Sequence, residues 1–477
     1  MVFSSVTFLL IFLPLTAVLY YLPSVFLRSD KLNEGKARSL TAYKNTVLCL
    51  ASLLFYAWGE PVNIVLMLIS IIFNYAIGLD MDKHSEKKVQ RKLLLIFAVL
   101  FNVGMLGFFK YSGFFAENFC SVFKIENNYF EPALPIGISF YTFQILSYVI
   151  DVYKKKVDSQ KNLIDFALYI SMFPQLIAGP IVQYSTINNQ LKERKESLET
   201  VSKGISLFVI GLAKKVLLAN TAGAVYEEYM ELGFDKLSAL GAWAAIICYA
   251  FQIYFDFSGY SDMARGLGYI FGFDFPENFR YPYMADSITD FWRRWHITLS
   301  SWFRDYVYIP LGGSRCSKIR VVFNLFVVWG LTGFWHGASW NFVLWGLYYF
   351  VLLVLEKFIF NKAIKKMPVL LRHILTLAFI LFGWVLFAST DLSQILLFTK
   401  CLFGVNGAYD SNSLYLLTSN AVILIAMALF STNLFDIKET VKPMNRALKY
   451  VLTSGLFAVS IIYLIGDTYN PFLYFRF

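Results

Sequence analysis

The sequence predicts an all-α integral membrane protein, a helical bundle of about 11–13 transmembrane helices, and three observations support this. Hydrophobic residues make up 57% of the chain and charged residues only 16%, too few to cover a water-facing surface of ordinary size. Apolar runs close to the roughly 20 residues that a spanning helix needs recur along the whole length. Lys and Arg cluster between these runs, so the net charge of +10 reads as a topology signal; no basic stripe interleaved with aromatics suggests nucleic acid as a partner.

Taken in order, the candidate spans cover approximately 3–23, 43–58, 62–79, 93–109, 134–153, 163–182, 203–219, 238–257, 321–335, 340–358, 372–389, 417–435 and 450–466. The first, Phe3 to Leu22, has neither a basic stretch before it nor a small-residue cleavage site after it, and reads as a retained helix. Pro174 and the pair Gly179-Pro180 interrupt the sixth. Irregular backbone at membrane depth is tolerated only against protein or a water-filled cavity, so some spans are expected to be half-helices. No Gly/Ser linker or soluble domain interrupts the series, and 1–477 reads as a single polytopic domain.

Orientation follows from the loops. Arg28, Lys31, Lys36, Arg38 and Lys44 mark one cytoplasmic loop; Lys83, Lys87, Lys88, Arg91 and Lys92 mark another, and Lys154 to Lys156 open a third. Counted back from the other end, Lys362, Lys365, Lys366 and Arg372 mark an inner loop, as do Lys438, Lys442, Arg446 and Lys449. Both termini are then extracytoplasmic.

Residues 286–316 read DSITDFWRRWHITLSSWFRDYVYIPLGGSRC, with Trp292, Trp295, Leu299, Trp302 and Phe303 at three- and four-residue steps beside Arg293, Arg294, Arg304 and Asp305. The pattern predicts an amphipathic helix, too charged to span, capped by Asp286 or Ser287. It lies at the interface or dips into a protein-lined cavity.

Of the four histidines, His84 and His373 sit beside basic residues and read as solvent or headgroup contacts. His336 lies in TGFWHGASWN, a Gly-rich, aromatic break between two apolar segments, where an ionisable group is expensive and usually marks a site. Burial favours neutral imidazole, which is a usable general base. Gly333 and Gly337 offer close backbone approach to a substrate chain, and Trp335 and Trp340 offer walls that exclude water. The residues alone leave His336 open between a hydrogen-bonded structural role and catalysis; for His296, on the amphipathic segment, the structural role leads. Cys49, Cys120, Cys248, Cys316 and Cys401 form no CxxC pair, and no disulfide framework or zinc site is expected.

Together, FWRRWHITLSSWFRDYVYIPLGGSR (291–315), LTGFWHGASWNFVLWG (331–346), FQIYFDFSGYSDMARGLGYIFGFDFPENFRYPY (251–283) and the opening MVFSS resemble the membrane-bound O-acyltransferase (MBOAT) family. Within it they are similar to the bacterial AlgI/PatA/DltB-like branch, and most of all to its AlgI-like O-acetylation proteins. The resemblance spans nearly the whole chain and implies an MBOAT-type bundle with a central pore, whose catalytic core segment here is 286–346. It implies a catalytic His336 and a second functional histidine at His296. It also implies a cytoplasmic thioester donor, acetyl-CoA or an acyl-carrier thioester, with no bound cofactor. The acyl group leaves for an extracytoplasmic polysaccharide, with an SGNH-type acyltransferase as partner in a bacterial cytoplasmic membrane.

The chemistry asks for an aligned acceptor hydroxyl, a base and a stabilised oxyanion. His336 suits the base role, and His296 suits a hydrogen bond to the thioester carbonyl or a proton relay. Trp335, Ser339, Asn341, Arg304 and Asp305 are supporting candidates. D-alanyl transfer to teichoic acid is the alternative within the family. A transporter or flippase is the alternative outside it, weakened by the lack of an internal repeat. Finally, the aromatic tail 467–477 ends in Phe472, Tyr474 and Phe477, similar to the C-terminus of the small peptide that accompanies the D-alanylation enzyme. Tyr474 is read there either as an acyl carrier or as part of an interfacial aromatic anchor.

Overall fold

The computed structural model describes residues 1–26, 33–125, 132–194, 196–435 and 446–466. Among them every regular element is helical, and nine helices are long and apolar enough to cross a membrane. A tenth is obtained if Ser411–Ser419 and Ala421–Phe430, bent by 61° at Asn420, form one broken span. The chain is a multi-pass membrane protein whose backbone contacts cluster into two compact units. Unit 1 comprises Met1–Phe208 with Ser261–Pro276, and unit 2 comprises Val209–Tyr260 with Glu277–Phe477.

In unit 1 the long helices are Glu34–Gly59, Ile64–Lys83 and Lys88–Phe123. The last two are tied by a reciprocal amide pair, Asn74 with Asn102, at 3.1 and 2.8 Å. Two expected spans here are not among the helices long enough to cross a membrane by themselves. The helix Ile138–Tyr153 has 16 residues, and all but Ile150 and Tyr153 are buried. Polar Thr142, Gln144, Ser147 and Asp151 lie along it and are buried, so protein surrounds it on all sides. The 163–182 segment breaks into Leu163–Ser171 and the short Phe173–Leu176 around Pro174. The Tyr169 hydroxyl, 3.1 Å from the Gln144 carbonyl and 3.0 Å from that of Val182, supplies a donor to the broken backbone. The expected first span falls short for another reason, since its regular part covers only Phe8–Ser24 of the apolar helices.

Unit 2 is built on the antiparallel pair Lys318–His336 and Trp340–Leu355, with Val369–Ala388 packed on the second. Glycine sets how closely the pair packs. A Cβ on Gly333 would stand 2.5 Å from the Phe342 carbonyl oxygen, and one on Gly346 would stand 2.5 Å from that of Trp329. The helices therefore touch backbone to backbone at that crossing.

The 286–316 segment is not one amphipathic helix. It comprises Ile288–Arg294, an interruption at Trp295-His296, Ile297–Phe303, and a π-turn over Arg304–Tyr308. Ser287 caps it, accepting from the Asp290 N–H at 3.1 Å. Its Trp residues do not face an interface: Trp292, Trp295 and Trp302 are all buried, and Trp292 packs edge-on against Trp329, Trp345 and Tyr349. Burial of these rings in protein, where each contributes several kcal/mol of apolar burial at about 25 cal/mol/Å², overrides the helical period of the sequence.

Candidate functional site

Both histidines singled out by the sequence are buried in unit 2, at 1% exposure for His296 and 6% for His336. Each packs against the same indole. The Trp335 ring centroid lies 5.9 Å from that of His296 and 4.9 Å from that of His336. Trp335 is thus the shared wall of the site, and His336 is further enclosed by Trp345 at 4.8 Å and Phe387 at 5.2 Å. His336 is the last residue of its helix, and Gly337 leaves in an extended conformation, which ends the helix at the imidazole.

His296 is held differently. It occupies the left-handed region, φ 43° and ψ 55°, at the break between two short helices, a conformation uncommon for a residue with a Cβ. Its ring meets Phe257 edge-on at 4.7 Å, and its Nδ1 lies 3.0 Å from Asn278 Oδ1. That oxygen also accepts from the Thr298 backbone N–H at 3.2 Å and from Thr298 Oγ1 at 2.9 Å. A backbone N–H can only donate, so the Asn278 atom facing it is the acceptor, and the His296 nitrogen beside it must carry the proton. Lying between the spanning helices, His296 has its pKa pushed down to about 3 by burial, so it is neutral and its Nε2 carries the lone pair. This geometry fits a proton acceptor or relay. It does not fit the donation to a carbonyl expected from sequence, because the one N–H of the neutral ring is already directed at Asn278.

Sequence reading missed Asn278, although it lies in the 251–283 block. Asn278→Ala is expected to cost about 1–3 kcal/mol by stripping a buried acceptor from three donors. It should also lower acyl transfer, because His296 can then adopt either tautomer. Asn278→Asp keeps an acceptor at that point and should retain more activity than Asn278→Ala at matched folded fraction. Equal activity in the two variants would mean that the contact is structural only.

Two further residues escaped the sequence reading although their signal was available. Lys215 and Asp256 lie inside apolar segments, where ionisable residues are costly and mark function or pairing. They form an ion pair at 2.9 Å, with side chains 3% and 4% exposed. Close approach of the backbones accompanies the pair: a Cβ on Gly259 would stand 2.7 Å from the Gly211 carbonyl oxygen and 3.1 Å from the Lys215 nitrogen. Phe257, which packs on His296, follows Asp256 directly on that helix, so the pair anchors one wall of the site.

The remaining expected residues are dispersed. The space that Gly333 and Gly337 leave open is filled by protein, since a Cβ on Gly337 would stand 2.3 Å from the Phe342 ring. These glycines serve helix packing and do not admit a substrate chain. Trp340 is 54% exposed and points out of the unit, whereas Trp335 is buried between the imidazoles. Asn341 is buried and donates to the Ser389 carbonyl at 2.8 Å, tying its helix to the end of Val369–Ala388. Ser339 stands at the N-cap of the Trp340–Leu355 helix without a capping bond from its side chain. Arg304 pairs with its neighbour Asp305 at 2.8 Å, its side chain 61% exposed. His84 bonds one turn back to the Asp80 carbonyl, and His373 bonds the Ala285 carbonyl, 88 residues away in the chain, each at 3.0 Å. Tyr474 and the tail 467–477 lie outside the described residues.

Comparison with known proteins adds a further finding. The sequence model described as the MBOAT, membrane-bound O-acyltransferase family matches residues 52–398. The chain is 38% identical to the probable alginate O-acetylase AlgI of Pseudomonas aeruginosa over 82% of its own length and 73% of the relative's. It is 36% identical to the peptidoglycan O-acetyltransferase of Helicobacter pylori over 85% and 80%. It is 30% identical to the teichoic acid D-alanyltransferase of Bacillus subtilis, over 53% of this chain and 68% of the other.

Proposed function

The chain belongs to the membrane-bound O-acyltransferase family, and from that premise we propose that it moves an acetyl group from a cytoplasmic thioester across the membrane for O-acetylation of an extracytoplasmic polysaccharide. The observation that carries this reading is the pair of buried imidazoles on the Trp335 indole, one of them fixed as a proton acceptor by Asn278. Acetyl is favoured over D-alanyl because the relatives named for O-acetylation cover most of the chain and the D-alanyltransferase covers about half.

In this mechanism His336 removes the proton of the acceptor hydroxyl as its oxygen attacks the thioester carbonyl. The carbon–sulfur bond of the tetrahedral intermediate then breaks, and the departing thiolate takes up the proton, leaving an ester and a free thiol. His296 Nε2 accepts or relays the proton. The enclosing aromatic rings keep water, the competing nucleophile, from the reacting carbonyl. Acetyl-CoA or an acyl-carrier thioester is the donor, and an SGNH-type acyltransferase completes transfer to the polymer. The Tyr474 hydroxyl is the proposed relay between them; Tyr474→Phe, which removes only that hydroxyl, abolishes polymer acetylation in cells if the relay operates.

The test of the reaction is purified protein offered labelled acetyl-CoA. Release of CoA thiol with label in an ester on an added polysaccharide, or on the protein's own chain, supports it. Label that crosses liposomes unchanged would instead indicate a transporter. The proposed orientation places both termini outside and the 28–44 and 83–92 loops in the cytoplasm of a bacterial cell. Cysteines replacing Lys36 and Lys88 are then expected to resist membrane-impermeant thiol reagents on intact cells and to react after permeabilisation. Labelling on intact cells would reverse the orientation.

A further inference from the structure

At the end of unit 2 remote from His336, a cleft of about 660 Å³ opens beside the final turns of Trp340–Leu355 and its continuation to Ile364. Leu325, which lines it, is eleven residues from His336 on one helix, roughly 16 Å at 1.5 Å per residue. The cleft is separate from His336, while Arg293 on its lining stands three residues before His296.

The lining combines two chemistries. Leu325, Leu353 and Ile364 are apolar, while Arg293, Lys357 and Arg372 bring positive charge. The two carboxylates of the cleft are already engaged. Glu356 accepts from the backbone N–H groups of Ile288 and Thr289 at 2.8 and 3.2 Å, and Asp286 is held by Arg372. Among the described residues no carboxylate pairs with Arg293 or Lys357, both of which are exposed, and the buried Nε of Arg372 has no hydrogen-bond partner. The surface beside the cleft is strongly apolar, with Ile359 62%, Phe360 48% and Leu370 70% exposed. The exposed Arg293 and Lys357, with Arg372 in the first turn of Val369–Ala388 and next to exposed aliphatic and aromatic side chains, match a phosphate ester in charge and its hydrocarbon chain in surface.

We propose that this cleft binds a phosphate ester carried on an apolar or flexible chain, with the phosphate held by Arg293, Lys357 and Arg372. The flanking apolar surface favours the headgroup of an anionic membrane phospholipid as its source; a soluble ester such as the phosphates of CoA shares the chemistry. With a phospholipid headgroup as its source the assignment goes beyond acyl transfer and stands apart from it; with CoA as its source it rests on the acyl-transfer reading above.

The experiment uses the full chain in phosphatidylcholine nanodiscs, with phosphatidylglycerol added in one arm and CoA in the other. Wild type is compared with Arg293→Gln/Lys357→Gln by thermal unfolding and by the lipid retained in native mass spectrometry. Neither replaced side chain makes an ion pair within the described fold, so the variant should fold. Phosphatidylglycerol is expected to raise the unfolding midpoint of wild type and to bind the variant roughly tenfold or more weakly, each basic side chain near a lipid surface contributing about 1 kcal/mol. A variant-sensitive response to CoA in place of the lipid supports the phosphate site and assigns its source to a soluble ester. Identical responses of wild type and variant in both arms overturn the proposal.

Discussion

His336→Ala is expected to lower acyl transfer by about 10²- to 10⁴-fold, the usual cost of removing a positioned general base, while the protein still inserts and folds. The imidazole is buried against Trp335, Trp345 and Phe387, so truncation opens a small cavity and lowers the unfolding midpoint modestly. The glycine-mediated contact of the two helices at Gly333 and Gly346 does not involve the ring and remains. Initial rates with labelled acetyl-CoA, normalised to folded protein by size-exclusion profile and thermal melt, give the answer. Transfer near the wild-type rate would remove His336 from the chemistry.

Lys215→Met should be the most destabilising of the substitutions considered. It removes the Lys215 ammonium from the Asp256 carboxylate, which is buried at 4% side-chain exposure, and breaking a buried pair in this way costs about 3–5 kcal/mol. Replacing both partners, as Lys215→Met with Asp256→Leu, removes the buried carboxylate as well and should recover most of that loss, because burying the pair itself carries a large desolvation cost. Activity separates the two roles of the pair. If it also positions the site through Phe257, the double variant regains its unfolding midpoint but not its rate. A single variant as stable as wild type would show that the contact contributes little.

How much of the fold was legible depended on what each signal measures. Length and hydropathy report transfer into lipid, and they located Ile64–Lys83 and Val369–Ala388 well, because those helices follow one uninterrupted apolar run. They failed at 134–153 and 163–182, where the helices have only 16 and 9 residues and most of their apolar side chains are buried by protein. Hydropathy does not distinguish the two solvents. The periodic Trp pattern of 286–316 failed similarly, since rings at helical spacing reached protein on several sides once the chain broke at His296.

The sequence by itself determined that the chain is a helical membrane protein, that its motifs are those of an O-acyltransferase, and that His296 and His336 are its notable histidines. These are properties of composition and of contiguous blocks, which the chain carries in any conformation. Only the tertiary structure decided that both imidazoles share the Trp335 indole, and that Asn278 fixes where the His296 proton lies. It also assigned Gly333 and Gly337 to helix packing and paired Lys215 with Asp256. Those outcomes depend on distances of a few ångströms between residues far apart in the chain, and hydrogen-bond direction and ion-pair energy are set by such distances, which sequence spacing does not encode.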